Sequence, residues 1–74
     1  MRFATRPLLA RLNVIAETIR AGSFPNAQTL SRELEVNPRT VQRDISDLRD
    51  RFGAPIKYDD IRHGYYFTAL SEKL

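Results

Sequence analysis

Two helix-start signals lie only eleven residues apart in the middle of this chain, at Asn26 and Asn37. Asparagine is favoured at helix N-caps, and Pro38, directly after Asn37, suits the first position of a helix. A single long helix would not carry a second start signal in its interior. The spacing therefore predicts two short helices joined by a sharp bend at Glu35 and Val36.

Apolar residues at helical spacing predict three helices in all, over about 7–21, 27–34 and 38–51. Pro7 suits the first position of the first helix, and Gly22 and Gly53 suit the ends of the first and third. The residues expected to face inward are Leu8, Leu12, Ile15 and Ile19, then Ala27, Leu30, Leu34 and Val36, then Val41, Ile45, Leu48 and Phe52. We also expect Phe24, between the first two helices, to fill the core.

After Gly53 the apolar period changes to two residues, which predicts two β-strands. The inward pairs are Ile56 with Tyr58 and Tyr65 with Phe67, and we expect them to pack on the third helix; Tyr66 should point outward. Gly64 supplies the permissive backbone in the connecting loop DDIRHG. The predicted fold class is α+β, mainly α: three helices followed by a two-stranded β-hairpin, in a single domain spanning residues 1–74.

Composition removes several classes of function. The sequence has no cysteine and a single histidine, so it lacks the ligands of a zinc site. Its three glycines are scattered, so it has no glycine-rich phosphate loop. Asp59 and Asp60 are adjacent in a turn and point apart, which does not suit paired acid–base catalysis. We expect no enzyme activity, no cofactor and, without an apolar run of membrane-spanning length or a signal peptide, a cytoplasmic protein.

Positive charge is concentrated in the first part of the chain. Residues 1–43 carry a net charge of +4, from seven arginines against three glutamates, whereas residues 44–74 carry −1. The change of sign falls inside the third helix, directly after Arg43. An edge that faces phosphates benefits from such asymmetry.

The outward face of the third helix carries hydrogen-bonding side chains suited to base edges. With Val41 as the inward reference, an ideal helix places Arg39, Arg43, Ser46 and Gln42 at about 160°, −160°, 140° and 100°. Arginine can bind guanine, and glutamine can bind adenine, through two parallel hydrogen bonds in the major groove of DNA. We therefore predict base readout by these four residues. The alternative is a solvated helix face with Arg39 and Arg43 four residues apart.

Other polar residues suit the DNA backbone: Asn37, Thr40, Lys57, Arg62 and His63. Thr40 would act together with exposed amides at the start of the third helix. The hairpin loop would reach a neighbouring groove or its phosphates, although Asp59 and Asp60 also fit an ordinary polar turn. Arg2 and Arg6 form either an N-terminal arm on the backbone or a flexible charged terminus. Asp44, beside the inward stripe, is expected to pair with a neighbouring arginine rather than contact a base.

The run LSRELEVNPRTVQRDISDLRDRFGAPIKYD, followed by GYYFT, resembles the winged helix-turn-helix domain of bacterial transcription regulators. The nearest resemblance, over about residues 8–68, is to the N-terminal domain of WYL-domain regulators, with DeoR-type repressors more distant. It implies sequence-specific binding of double-stranded DNA, with Arg39, Thr40, Gln42 and Arg43 matching DNA-contacting positions. It also implies a homodimer and an effector ligand bound by a C-terminal domain, to which residues 69–74 would begin the linker.

The turn position occupied by Glu35 carries glycine in many helix-turn-helix proteins. Glutamate is accommodated there if the turn avoids a left-handed backbone.

Two rival functions remain. The same fold can serve protein association, with Tyr66, Phe3 and the hairpin edge as the surface. Binding of RNA or single-stranded DNA would instead require exposed aromatic residues on the sheet. The arginines and glutamine on the outward face of the third helix favour duplex DNA over both.

Overall fold

The computed structural model describes residues 7–68. The elements are α1 (Leu8–Arg20), α2 (Ala27–Leu34), α3 (Pro38–Arg51), β1 (Ile56–Asp59) and β2 (Gly64–Phe67). The two strands pair antiparallel in a hairpin. The predicted fold class, three helices followed by a two-stranded hairpin, is confirmed. Arg2, Phe3, Arg6 and the suggested linker 69–74 lie outside the described residues.

Both asparagine caps form as the sequence predicts. The Asn26 side chain accepts a hydrogen bond from the Thr29 amide at 2.8 Å, and that of Asn37 accepts one from the Arg39 amide at 2.8 Å. These bonds satisfy amides that have no partner within the first helical turn. The expectation for Pro7 was wrong by one position, because its extended backbone, with ψ of 156°, makes it the N-cap of α1 rather than the first helical residue.

The turn between α2 and α3 does adopt a left-handed backbone at Glu35, with φ of 57° and ψ of 44°, contrary to the expected accommodation. The Val36 amide donates to the Ser31 carbonyl at 3.0 Å and the Glu35 amide to the Arg32 carbonyl at 3.3 Å. This pair of bonds is the Schellman motif, which requires a left-handed residue directly after the helix. The sharp change of direction into α3 therefore imposes the conformation despite the side chain.

The core lies between the three helices and the base of the hairpin. Its buried apolar residues are Leu12, Ile15, Ile19, Leu30, Leu34, Val41, Ile45, Leu48 and Ile56. Ala27 and Val36 pack against this cluster, as expected. Leu8 and Phe52 do not belong to it, with 39% and 61% of their surface exposed. Leu8 is the first residue of α1 and Phe52 follows the last residue of α3, so both lie beyond the helical contacts that the periodicity predicts.

The hairpin packs differently from the prediction. Its register pairs Ile56 with Phe67 and Tyr58 with Tyr65, but Tyr58 remains 45% exposed. The main helical neighbour of the sheet is α1, against β2, rather than α3. The Arg20 guanidinium lies 5.5 Å from the centre of the Phe67 ring at this contact. Ile56, Tyr65 and Phe67 pack on the core as expected, and Tyr58 is the residue of the predicted inner face that stays exposed.

The loop between α1 and α2 lies beside β2, on the side away from β1. The Tyr65 amide donates to the Pro25 carbonyl at 2.8 Å. A Cβ atom on Gly64 would lie 1.8 Å from the Phe24 carbonyl oxygen, so glycine is needed here for close backbone approach. The left-handed residue of the hairpin loop is instead His63, with φ of 59°.

Phe24 does not fill the core. It has a left-handed backbone, with φ of 55°, and its half-buried ring lies 5.8 Å from that of Tyr66, centre to centre. This contact half-buries Tyr66 as well, so the expected outward aromatic is partly covered. The pair forms a small second cluster on the sheet face opposite Tyr58.

We expect Glu35→Gly to raise the free energy of unfolding by about 1 kcal/mol, because glycine adopts the left-handed backbone without the steric cost that glutamate incurs. Urea denaturation followed by circular dichroism measures the change. Glu33→Gly, in right-handed helix two residues earlier, is the matched control and should lower stability by up to about 1 kcal/mol. Equal effects of the two substitutions would contradict the strain at position 35.

Candidate nucleic-acid interface

Helix α3 has one buried and one exposed side. Val41, Ile45 and Leu48 face the core, while Arg39, Gln42 and Arg43 are exposed and Ser46 is half-buried. The four residues predicted to read bases thus lie together on the outer side of the helix. Their guanidinium, carboxamide and hydroxyl groups can all donate hydrogen bonds.

A partly buried ion pair between α1 and α3 supports this orientation. Arg11 Nε lies 2.7 Å from Asp44 Oδ2, and a terminal guanidinium nitrogen lies 3.1 Å from Oδ1. The Asp44 side chain is 1% exposed and that of Arg11 is 17% exposed. The hydrogen bond that Arg11 donates to Asp44 raises the pKa of Arg11 above its ordinary value. The predicted pairing of Asp44 with an arginine is confirmed.

The start of α3 offers fewer donors than the sequence suggested. The Arg39 amide binds the Asn37 side chain, the Thr40 amide binds the Asn37 carbonyl at 2.9 Å, and Pro38 has no amide hydrogen. The expectation of exposed amides beside Thr40 was therefore wrong, because the cap already uses them. The Thr40 hydroxyl and the NH2 group of Asn37 are the donors that this end of α3 retains for a phosphate.

The hairpin loop is held in shape by Asp59. One carboxylate oxygen accepts the amides of Ile61 and Arg62 at 2.8 and 2.9 Å, and the other pairs with the Arg62 guanidinium at 3.0 Å. These contacts, led by the bond from the Arg62 amide, hold the pKa of Asp59 below its ordinary value. Arg62 also lies 4.8 Å from the centre of the Phe24 ring, so it has partners within the protein before any nucleic acid arrives.

The remaining wing candidates, Lys57 and His63, are exposed. Lys57 pairs with Tyr66 across the hairpin, so it lies on the sheet face opposite Tyr58. The residues predicted to contact the DNA backbone therefore lie on two surfaces. One is the start of α3, and the other is the outer face of the hairpin together with its tip.

An open groove of about 430 Å³ lies between the start of α2, α3 and the hairpin. It is lined by Asn26, Ala27, Gln28, Gln42, Tyr58 and Tyr65. Gln42 is thus shared between the outer side of α3 and this groove. Sequence reasoning missed Gln28 and Tyr58, since it placed Tyr58 inside and had no signal that the start of α2 lies close to the hairpin.

Within the described residues, no three or more histidine, cysteine, aspartate or glutamate residues are grouped so that they could hold a metal ion. No helix in residues 7–68 is long and apolar enough to cross a membrane.

Three helices, a hairpin after the third, and an arginine-bearing outer side on that third helix define a winged helix-turn-helix protein. A family model described as an HTH, or helix-turn-helix, domain matches residues 11–66. The chain belongs to this family, which indicates a DNA-binding domain and DNA as its partner. We found no match among curated proteins or solved structures.

We expect Arg11→Met to lower the free energy of unfolding by about 3–5 kcal/mol, because it leaves the buried Asp44 carboxylate without its two guanidinium bonds. Urea denaturation measures the loss. Arg51→Met is the control, since Arg51 is exposed and 3.9 Å from Asp47, and should cost less than about 1 kcal/mol.

The double variant Arg11→Met/Asp44→Leu tests the cause, because it removes both charges from the core. It should recover most of the stability lost in Arg11→Met. A double variant as unstable as the single one would mean that packing of Arg11, rather than its pairing with Asp44, accounts for the loss.

Proposed function

We propose that this domain reads double-stranded DNA sequence-specifically for a bacterial transcription regulator, with α3 in the major groove. Arg39, Gln42, Arg43 and Ser46 are the base-reading residues. The observation that supports the proposal most is the orientation of α3, whose buried side is fixed by the Asp44–Arg11 pair while Arg39, Gln42 and Arg43 are exposed. A rigid helix presenting bidentate donors suits base edges.

The backbone contacts in this proposal come from Asn37 and Thr40 at the start of α3, and from Lys57, Arg62 and His63 on the hairpin. Such contacts orient a protein on the duplex without reading its sequence. Arg62 exchanges Asp59 for a phosphate on binding, and because the Asp59–Arg62 pair is exposed to solvent, the exchange costs little.

We further propose a WYL-domain or DeoR-like regulator acting as a homodimer in the bacterial cytoplasm, under the control of an effector bound elsewhere in the protein. The support is the resemblance carried by NPRTVQRDISDL, GAPI and GYYF. A dimer also suits the size of the interface, because one small module makes too few contacts for useful specificity.

Arg43→Ala should weaken binding to the preferred duplex by about 1–3 kcal/mol and relax selectivity at one base position, because a bidentate contact to guanine is lost. Fluorescence anisotropy with duplexes selected from a random library measures both effects.

Arg51→Ala is the matched control on the same helix, removing an exposed charge beyond Asp47 and Asp50. It should leave sequence preference unchanged. Equal losses of affinity on selected and random duplexes in Arg43→Ala would assign Arg43 to a phosphate instead. A folded wild-type domain that binds no duplex at low salt would refute the proposed function and favour protein association.

Asp59→Asn should tighten binding to any duplex about threefold to tenfold, because it releases Arg62 and removes a negative charge near the phosphates. Asparagine retains an oxygen that can accept the amides of Ile61 and Arg62, so the loop should keep its shape.

Asp60→Asn, which makes the same charge change one residue later, separates the two causes. Because Asp60 is not the carboxylate that pairs with Arg62, it should give a smaller gain than Asp59→Asn. Equal gains from the two substitutions would attribute the effect to net charge alone and remove the case for Arg62.

A further inference from the structure

The groove between α2, α3 and the hairpin has a chemical character of its own. Among residues 7–68, five of the six side chains that line it are polar and uncharged: Asn26, Gln28, Gln42, Tyr58 and Tyr65. All of them can donate a hydrogen bond, and in this part of the chain no carboxylate lines the groove to repel an anion. The groove is therefore rich in neutral donors immediately beside a cationic helix face.

The position of the groove relative to α3 indicates which kind of ligand it can bind. Gln42 lines the groove, and on an ideal helix it stands about 60° from Arg39 and about 40° from Ser46. A duplex whose bases met Arg39 and Ser46 would have its nearer sugar–phosphate strand at the flank of α3, where the groove lies. An open groove suits such a strand better than a small ligand, because small-ligand sites enclose most of their ligand.

On the hairpin side of the groove, the contact with Tyr65 holds the Tyr58 ring in a fixed position. The ring of Tyr58 meets that of Tyr65 edge-on, with the centres 5.1 Å apart, and Tyr65 is itself half-buried. Burial raises the pKa of Tyr65, so this ring serves as neutral support. Tyr58 is 45% exposed, and its phenol is thus both held in place and accessible.

We propose that this groove holds one sugar–phosphate strand of the bound duplex, with the Tyr58 hydroxyl and the Gln28 carboxamide donating to phosphate oxygens. Gln42, between these donors and the outer side of α3, reads the adjoining base. The inference rests on the proposed function and adds two DNA-contacting residues to it, Gln28 and Tyr58. It predicts that neutral hydrogen-bond donors contribute part of the affinity of the domain for DNA.

Neutral donors give a distinctive experimental signature. A phosphate bound by Lys or Arg releases counterions and steepens the dependence of affinity on salt, whereas a phosphate bound by a phenol or a carboxamide does not. Tyr58→Phe and Gln28→Ala should each weaken binding about threefold to tenfold, equally on selected and random duplexes, with the salt slope unchanged.

The test is anisotropy titration of the wild type, Tyr58→Phe and Gln28→Ala across a salt series. Asn13→Ala is the control, removing an exposed carboxamide from α1, outside the groove and the other proposed contacts, and should bind like the wild type. Urea denaturation of each variant should show unchanged stability, since Tyr58 and Gln28 are exposed residues.

Duplexes with single methylphosphonate substitutions, which remove the charge of one phosphate, locate the contact. One substitution should weaken wild-type binding and have a smaller effect on Tyr58→Phe. Wild-type affinity in both Tyr58→Phe and Gln28→Ala, while Arg43→Ala still loses binding, would overturn the groove assignment and leave the proposed function intact. A wild-type domain that binds no duplex would overturn both the groove assignment and the proposed function.

Discussion

The buried pair of Arg11 and Asp44 is the interaction on which the rest of the molecule depends. Removing two charges from water is costly, and the two short bonds between them offset that cost only when α1 and α3 keep one relative rotation. An apolar contact at the same place would tolerate sliding and rotation. Together with the buried apolar residues Val41, Ile45 and Leu48, the pair therefore orients α3 and, with it, Arg39, Gln42 and Arg43.

Backbone contacts position the hairpin in addition to the packing of Ile56, Tyr65 and Phe67 on the core. The Pro25 carbonyl accepts the Tyr65 amide, and the absence of a side chain on Gly64 lets the Phe24 backbone approach. Asn26, which follows Pro25 in the sequence, caps α2. The start of α2 and the hairpin are thus tied to each other within three residues, which sets the width of the groove between them.

The sequence predicts what local chemistry determines. Asn26, Asn37 and Pro38 give the starts of α2 and α3, because capping depends on neighbours along the chain, and periodicity gives the outer side of α3. Tyr58 and Phe24 were misplaced, because their burial depends on where the hairpin lies against α1. The left-handed backbone at Glu35 could not be predicted for another reason: the two carbonyls at the end of α2 outweigh the side-chain preference of a single residue. The groove lies among the unpredicted features, since it exists only once three elements meet.

Charge along the interface gives each part a different role. The first two turns of α3 hold Arg39 and Arg43, whereas Asp47 and Asp50 follow, so only the beginning of the helix is suited to approach phosphates. At the hairpin tip, Asp59 pairs with Arg62, and the proposed phosphate contact would replace this pair. Between them lies a groove of neutral donors. Because neutral contacts persist at ionic strengths that screen the arginines, a strand bound in the groove would keep α3 in register when electrostatic attraction weakens. Affinity at physiological salt would then depend on the groove contacts, and specificity would depend on Gln42 as well as on the arginines.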